Sequence, residues 1–280
     1  MPVSKTQLDR LGDRLKEGLH TESDLRLLDD YRRSFGEAYE VVVGTIRQHG
    51  DFATGRLAKS TVSIVEKLRR ESIRLSQIQD IAGCRVVVVN VVEQEQFVAF
   101  IKTSFPEASV IDRRDKPSYG YRAIHIIAEI YGKPIEIQVR SYLQHLWAEV
   151  SEKSSDVLDS TIKYGGGADS WRNFLTKSSE WVALFEDFEE KYFKGVVSKE
   201  VADAAHEKFK KAVADLSEHQ VPDKEVQELR AKLDESTREM EGREQKDQEM
   251  RRELVRLLNL NTSLLTEAIA RLDELKRKNP

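Results

Sequence analysis

Residues 119–142 read YGYRAIHIIAEIYGKPIEIQVRSY. Successive side chains of a strand point to opposite faces. In the first half, Ile124, Ile126, Ala128 and Ile130 share one face, against Tyr121, Ala123, His125, Ile127 and Glu129. In the second half, Ile135, Ile137 and Val139 oppose Glu136, Gln138 and Arg140. A β-hairpin turning near Gly132 and Lys133 accounts for both halves. An even-length turn there pairs Glu136 with Glu129, Gln138 with Ile127 and Arg140 with His125, and it makes the two apolar faces coincide. An odd-length turn would set them on opposite sides. Two directly opposed carboxylates are unfavourable in a plain sheet. They make sense around a metal or cationic partner, or where one has a raised pKa and acts as a base. A solvated sheet face would account for polarity alone, but a tyrosine, a histidine and an arginine beside two carboxylates read as the floor of a ligand site.

Working outward, GCRVVVVNVV is β-branched and apolar on both parities, as expected of a strand covered on both faces. EQEQFVAFIKTSF reads as a helix, ASVIDRRD as a short strand, YLQHLWAEVSEKSSD as a helix and KYGGGAD as a loop. Upstream, Leu25, Leu28, Tyr31, Phe35, Tyr39, Val42 and Ile46 recur at intervals of three and four, which predicts one amphipathic helix over 23–48. Thr21 or Ser23 is placed to cap it. STVSIVEKLRRE (60–71) predicts a second helix that buries Ile64, Val65 and Leu68. This order gives an α+β fold, a mixed β-sheet flanked by helices.

From about Ser170 the pattern is helical almost to the end. Val226, Leu229, Leu233 and Met240 fit heptad spacing, as do Met250, Leu254, Leu257, Leu264 and Leu275, with Asn261 at a seam position. The seam turns charged at GREQKDQ (242–248), which predicts a break between two helical segments, and VPD (221–223) reads as the joint before them. The expected organisation is an N-terminal segment (1–22), an α+β domain (23–169) and a long α-helical, coiled-coil C-terminal extension (170–280). The extension reads as a packed helical appendage or as the means of homo-oligomerisation.

The chain has 280 residues, a net charge of −4 and 34% charged residues. Its single cysteine, Cys84, excludes an intrachain disulfide and favours a reducing compartment. The N-terminal stretch has no apolar run of a secretory signal, and nowhere do about 18 apolar residues run consecutively. A cytoplasmic protein without a membrane partner is expected. Mild acidity weighs against a dedicated nucleic-acid binder. Residues 54–74, however, hold Arg56, Lys59, Lys67, Arg69, Arg70 and Arg74 against only Glu66 and Glu71. Such a local basic segment suits an anionic ligand such as nucleotide phosphates.

Four pieces stand in order: GRLAKSTVSIVEKL (55–68), DIAGCRVVVV (80–89), GYRAIH (120–125) and EIQVR (136–140). Together they resemble the synthetase domain of the RelA/SpoT family over roughly residues 25–165. The resemblance implies a nucleotidyltransferase-like synthetase fold and a GTP diphosphokinase. Such enzymes move pyrophosphate from ATP to the 3′-hydroxyl of GDP or GTP, making the alarmones ppGpp and pppGpp, with Mg²⁺ as cofactor. It further implies that Asp80 and Glu136 are the catalytic, metal-binding carboxylates. Arg85 would stack on adenine, with Arg56 as a second stacking arginine. Lys59 and Lys67 would hold ATP phosphates beside Ser63. Tyr121 would stack on the acceptor guanine, with Lys116 and His125 in the same acceptor motif. Apart from the resemblance, hydrogen bonds from Gln138 and Arg140 could orient the acceptor's phosphates or ribose.

On physical grounds Asp80 could instead cap a turn, Lys67 and Arg69 could lie on a solvated helix face, His145 could be structural, and Trp147 reads as core. The pattern also departs from the family's. Arg56 and Lys59 stand one residue further apart than its Arg-x-Lys, and Lys116 lies five residues before Tyr121 rather than four. The first bears on Arg56 as the second adenine-stacking arginine, the second on acceptor choice. No His-Asp dipeptide occurs, so the family's metal-dependent hydrolase domain is not expected. Two other functions fit less well: a toxic relative that pyrophosphorylates the tRNA 3′ end, and an inactive nucleotide-binding module.

Overall fold

A computed structural model describes residues 3–50, 53–218 and 223–278, without the side chain of Arg56 and most side chains between 195 and 244. The chain divides into two compact units, Met1–Thr176 and Lys177–Pro280. The first holds α1 (Lys5–Glu17), α2 (Glu22–Arg33), α3 (Gly36–His49), β1 (Ala53–Arg56), α4 (Thr61–Arg70), β2 (Ala82–Val88), α5 (Val91–Ser104), β3 (Ser109–Asp112), β4 (Ile124–Ile130), β5 (Lys133–Ser141) and α6 (Tyr142–Val157). Short 3-10 turns occur at Leu75–Gln77 and Ile162–Tyr164. The helix α7 (Asp169–Glu218) begins in this unit and continues into the second, which also holds α8 (Asp223–Lys278). No described helix is long and apolar enough to cross a membrane.

The five strands form one mixed sheet in the order β1-β2-β5-β4-β3. Only β2 and β5 run parallel; the other neighbours are antiparallel. One face is apolar throughout. Ala82, Cys84 and Val86 of β2, Ile124, Ile126 and Ala128 of β4, and Ile135, Ile137 and Val139 of β5 are buried there. They form one core with Leu11 and Leu15 of α1, Leu28 of α2, Val42 and Ile46 of α3, Ile64 and Leu68 of α4, and Phe97 and Ile101 of α5. The expectation that both faces of β2 are covered is not met. Gly83 and Arg85 are only half-buried and Val87 is 37% exposed. That open side lines a cleft.

The hairpin has the expected faces but a different register. Its turn is Tyr131–Gly132, with φ of 52° and 69°. Two consecutive positive φ values characterise the two-residue turn whose twist matches the flanking strands. The pairs are therefore Ile127–Glu136, His125–Gln138 and Ile124–Val139, one pair removed from expectation. Turn parity is unchanged, so the apolar faces still coincide. The supposed Glu129–Glu136 opposition does not exist, because Glu129 lies across from Pro134. The unusual turn residue is Tyr131, since a non-glycine residue seldom adopts positive φ.

The single helix expected over 23–48 is two. Thr21 caps α2 in a reciprocal box with Asp24, and α2 stops at Arg33. Ser34 and Phe35, with ψ of −7° and −9°, turn the chain before α3. Phe35 is fully buried and packs edge-on against Tyr31, so the corner carries core side chains as the helices do. The helix α4 buries Ile64 and Leu68 and leaves Val65 half-buried. β1, unmarked by hydrophobic alternation, pairs antiparallel with β2.

In the second unit α8 is unbroken across Gly242–Gln248, contrary to the expected interruption. Glu, Arg, Gln and Lys are strong helix formers, and an interior glycine costs only about 1 kcal/mol. Asn261 is buried at its expected seam position and Leu254 and Leu257 are half-buried, but Leu265 and Leu272 are buried in place of the expected Leu264 and Leu275, which are exposed. Arg251 donates Nε–H to the Tyr192 hydroxyl at 2.9 Å, which ties α8 to α7. Val221 and Pro222, and the side chains of Val226, Leu229, Leu233 and Met240, lie outside the described residues.

Candidate active site

The polar side of β2 and β5 opens into a cleft of about 640 Å³. At one end stands Asp80, in the turn that enters β2. Ile78 and Ile81 on either side are buried and anchor it. Lys59 donates its backbone N–H to the Ile81 carbonyl at 2.7 Å. Arg32 donates from α2 to the Lys59 carbonyl at 2.8 Å. These bonds hold Lys59 against the turn, where its ammonium bonds one Asp80 oxygen. Lys67, in the last turn of α4, donates to the other oxygen at 2.9 Å. Burial raises the Asp80 carboxyl, but the two ammonium groups outweigh it and hold the group below its ordinary value.

The floor beyond is built by strand periodicity. Glu136, Gln138 and Arg140 of β5 share a face with His125 of β4, and Gly83 and Arg85 of β2 lie beside Glu136 and Gln138. Gly83 is required here, because a Cβ would sit 2.7 Å from the Glu136 carbonyl oxygen. His125 Nδ1 lies 2.9 Å from Glu136 Oε1, and Gln138 donates Nε2–H to Glu136 Oε2 at 2.9 Å. Burial raises the Glu136 carboxyl, but hydrogen bonds from His125 and Gln138 and the imidazole's charge outweigh it, and the net shift is downward. An ionised carboxylate only accepts, so Nδ1 carries the proton. His125 Nε2 lies 2.9 Å from the Tyr121 hydroxyl, and that hydroxyl oxygen accepts from Arg140 Nη2 at 3.1 Å. Burial pushes the Tyr121 phenol above its usual value, with Arg140 opposing.

Tyr121 arrives on a tight turn in which its N–H donates to the Ser118 carbonyl at 3.0 Å. Tyr119 and Gly120 there have φ of 54° and 90°. The residue extra to the family's spacing is thus absorbed in a turn, and Lys116 is left exposed on the preceding loop, away from the cleft lining.

Arg140 is 2% exposed, and its guanidinium lies 5.1 Å from the Tyr121 ring centre. Its Nη2 also donates to Gln138 Oε1 at 3.1 Å. Arg85 Nη2 and Arg140 Nη2 approach Glu152 of α6 at 3.5 and 3.7 Å. The Arg140 Nε and Nη1 and the Arg85 Nε are buried without a hydrogen-bond partner among the described residues. Burial and the neighbouring Arg140 both lower the Arg85 pKa, while Glu152 opposes them.

The cleft lining thus brings together Lys59, Asp80, Arg85, Tyr121, His125, Glu136, Gln138 and Arg140, and Lys67 joins through Asp80. Ser63 instead bonds Ser60 at the start of α4. The Arg56 side chain lies outside the described residues, although its backbone pairs with Gly83. Arg69 donates to the Lys16 carbonyl at 2.9 Å, a structural role. Trp147 is core as expected, donating to the Leu175 carbonyl at 2.9 Å. Sequence reasoning missed Glu152, Tyr164 and Arg70, which also line the cleft. Arg70 stacks 4.0 Å over the Tyr164 ring. Its place in the basic segment was a signal; nothing local marked the other two.

Residues 55–155 match the family model described as a region found in RelA/SpoT proteins. That stretch of the chain is similar to RelA/SpoT proteins. An uncharacterized protein of Mycobacterium tuberculosis is 30% identical over 171 residues, 58% of this chain and 63% of that protein. The chain therefore spans under two thirds of that relative's length. A probable chloroplastic GTP diphosphokinase of Arabidopsis thaliana is 25% identical over 175 residues, 61% of this chain and 22% of that protein. The small alarmone synthetase 1 of Bacillus subtilis is 26% identical and superimposes with a TM-score of 0.45 over 64% of this chain and 99% of its own.

Proposed function

We propose that this RelA/SpoT-like domain transfers pyrophosphate from ATP to the 3′-hydroxyl of GDP or GTP, yielding ppGpp or pppGpp in the cytoplasm. The observation that carries the reading is one cleft lined by Asp80, in the turn entering β2 and bracketed by two lysines, and by Glu136, on the neighbouring β5 and held by His125 and Gln138.

The donor set suits Mg²⁺. Among the described residues no three His, Cys, Asp or Glu side chains gather into a metal cage. Two carboxylates with a phosphate-sized cleft between cationic side chains match an ion that completes its shell with phosphate oxygens and water. Asp80 and Glu136 would hold it. When bound, it supplies charge neutralisation on the donor phosphates.

Lys59 and Lys67 bind the triphosphate, and Arg85 stacks on adenine through its guanidinium face. One side of the Tyr121 ring is taken by Arg140, so the acceptor base stacks on the other. The acceptor O3′ attacks the β-phosphorus, the new O3′–P bond forms, and the bond from that phosphorus to the α–β bridging oxygen breaks, releasing AMP. The O3′ proton passes to Glu136, which His125 and Gln138 keep ionised and oriented.

The test is incubation with γ-labelled ATP and Mg²⁺, offering GDP, GTP, AMP or bulk tRNA. Label on GDP or GTP supports the reading, label on tRNA transfers the chemistry to another acceptor, and no transfer leaves a binding module. Self-association through the second unit belongs to the same proposal. Light scattering of the full chain should give a mass above 32.2 kDa.

A further inference from the structure

The floor of the cleft is not electrically balanced. Arg85 and Arg140 stand side by side against α6, and one carboxylate, Glu152, faces both at 3.5 and 3.7 Å. Those separations are ion-pair distances beyond good hydrogen bonds. The Glu152 side chain is 52% exposed, whereas that of Arg140 is 3% exposed. Arg140 spends a single nitrogen, Nη2, on Tyr121 and Gln138, and leaves Nε and Nη1 without a partner. Arg85 Nε is likewise unpartnered. Burying guanidinium donors unpaired is costly, and such groups ordinarily have a protein or ligand acceptor.

A phosphate group answers this arrangement. It carries up to two negative charges and several acceptor oxygens, enough to serve both guanidiniums at once. Glu152 offers one charge from the rim of the cleft and is free to swing into solvent. Arg85 can still stack on a base by its face while its edge bonds an anion.

We propose that Arg85 and Arg140 form a second phosphate seat, which receives the terminal 5′-phosphate of the acceptor nucleotide, and that Glu152 is a resident competitor displaced when that phosphate arrives. The seat is separate from the triphosphate cradle of Lys59 and Lys67. Assigning it to the acceptor rests on the proposed transfer reaction; the seat itself does not.

The test is a calorimetric titration of the intact protein with inorganic phosphate, GDP and guanosine, comparing wild type with Glu152→Gln. Circular dichroism controls for folding. Removing the competing charge should tighten inorganic phosphate and GDP by at least threefold and leave guanosine unchanged. Arg140→Lys, which keeps the charge but loses the planar fork, should weaken GDP while sparing guanosine. Competition between phosphate and GDP assigns the seat to the acceptor; phosphate that binds more tightly to Glu152→Gln without competing assigns it to a free anion. Equal affinity of wild type and Glu152→Gln for phosphate and GDP, an equal shift for guanosine, or no phosphate binding by either protein overturns the proposal. Because binding is read without turnover, failure of pyrophosphate transfer and failure of the seat are separate results.

Discussion

Asp80 and Glu136 line the same cleft, yet the protein holds them differently. Asp80 sits on a turn between buried isoleucines, and each of its oxygens meets a lysine ammonium. Glu136 sits in the middle of a strand, and its oxygens meet an imidazole and an amide. The first carboxylate is over-neutralised and leaves net positive charge for a polyphosphate. The second keeps most of its charge and a fixed direction, which suits a base. In the proposed reaction, net cationic character would face the donor phosphates, and the directed, ionised carboxylate on the sheet floor would accept the proton.

The largest effect that would break this contrast is on turnover. Glu136→Gln should lower kcat about 10³-fold, the scale of a lost general base, with the fold retained and only a modest fall in melting temperature, because glutamine still accepts a hydrogen bond although the stabilising charge is lost. Comparable kcat in this variant would remove Glu136 from the chemistry. Asp80→Asn should abolish transfer and also destabilise the fold by about 2 kcal/mol, since two ammonium groups lose their charged partner. Denaturant titration reads this. Restoration of stability, without activity, by adding Lys67→Met would sharpen the distinction between the two carboxylates.

Tyr121→Phe keeps the stacking ring and removes the hydroxyl between His125 and Arg140. It should change kcat about tenfold or less and leave acceptor KM near wild type, whereas Tyr121→Ala should raise acceptor KM. The pH dependence has a defined sign. Both carboxylates have folded pKa values below their unfolded ones, so their contribution to stability is complete above the ordinary carboxylate range near pH 4 and is lost as the pH falls through the lower folded values. Acid unfolding of wild type should therefore be steeper than that of Asp80→Asn. The smallest effect is expected at Arg69→Ala, where a partly exposed bond to the Lys16 carbonyl disappears. A stability loss near 0.5 kcal/mol with unchanged kinetics would place Arg69 outside the site.

Much of the sheet was legible because its signals are local. Period-two alternation separated the Ile/Val face of the hairpin from the Glu136-Gln138-Arg140 face, and the β-branched run marked β2. The register was not legible, because it depends on Tyr131 accepting positive φ, a conformation its side chain does not favour. β1, ATGR, escaped for a related reason: its glycine is selected by close approach to Gly83 and Cys84 rather than by strand propensity. The bend at Ser34–Phe35 was hidden by an apolar period that continues through it. Glu152 and Tyr164 come to the cleft from α6 and the following 3-10 turn, a placement that only the packed chain reveals.

The most direct test of the central claim is whether the β- and γ-phosphates of ATP move together. ATP labelled separately at each position is incubated with GDP and Mg²⁺, and nucleotide products and AMP are quantified for wild type and Glu136→Gln. The account predicts both labels on the 3′ position of the acceptor in equal amounts, one AMP released per product, and loss of all three signals in the variant. Transfer of the γ-label alone with release of ADP, or full activity in Glu136→Gln, would contradict it.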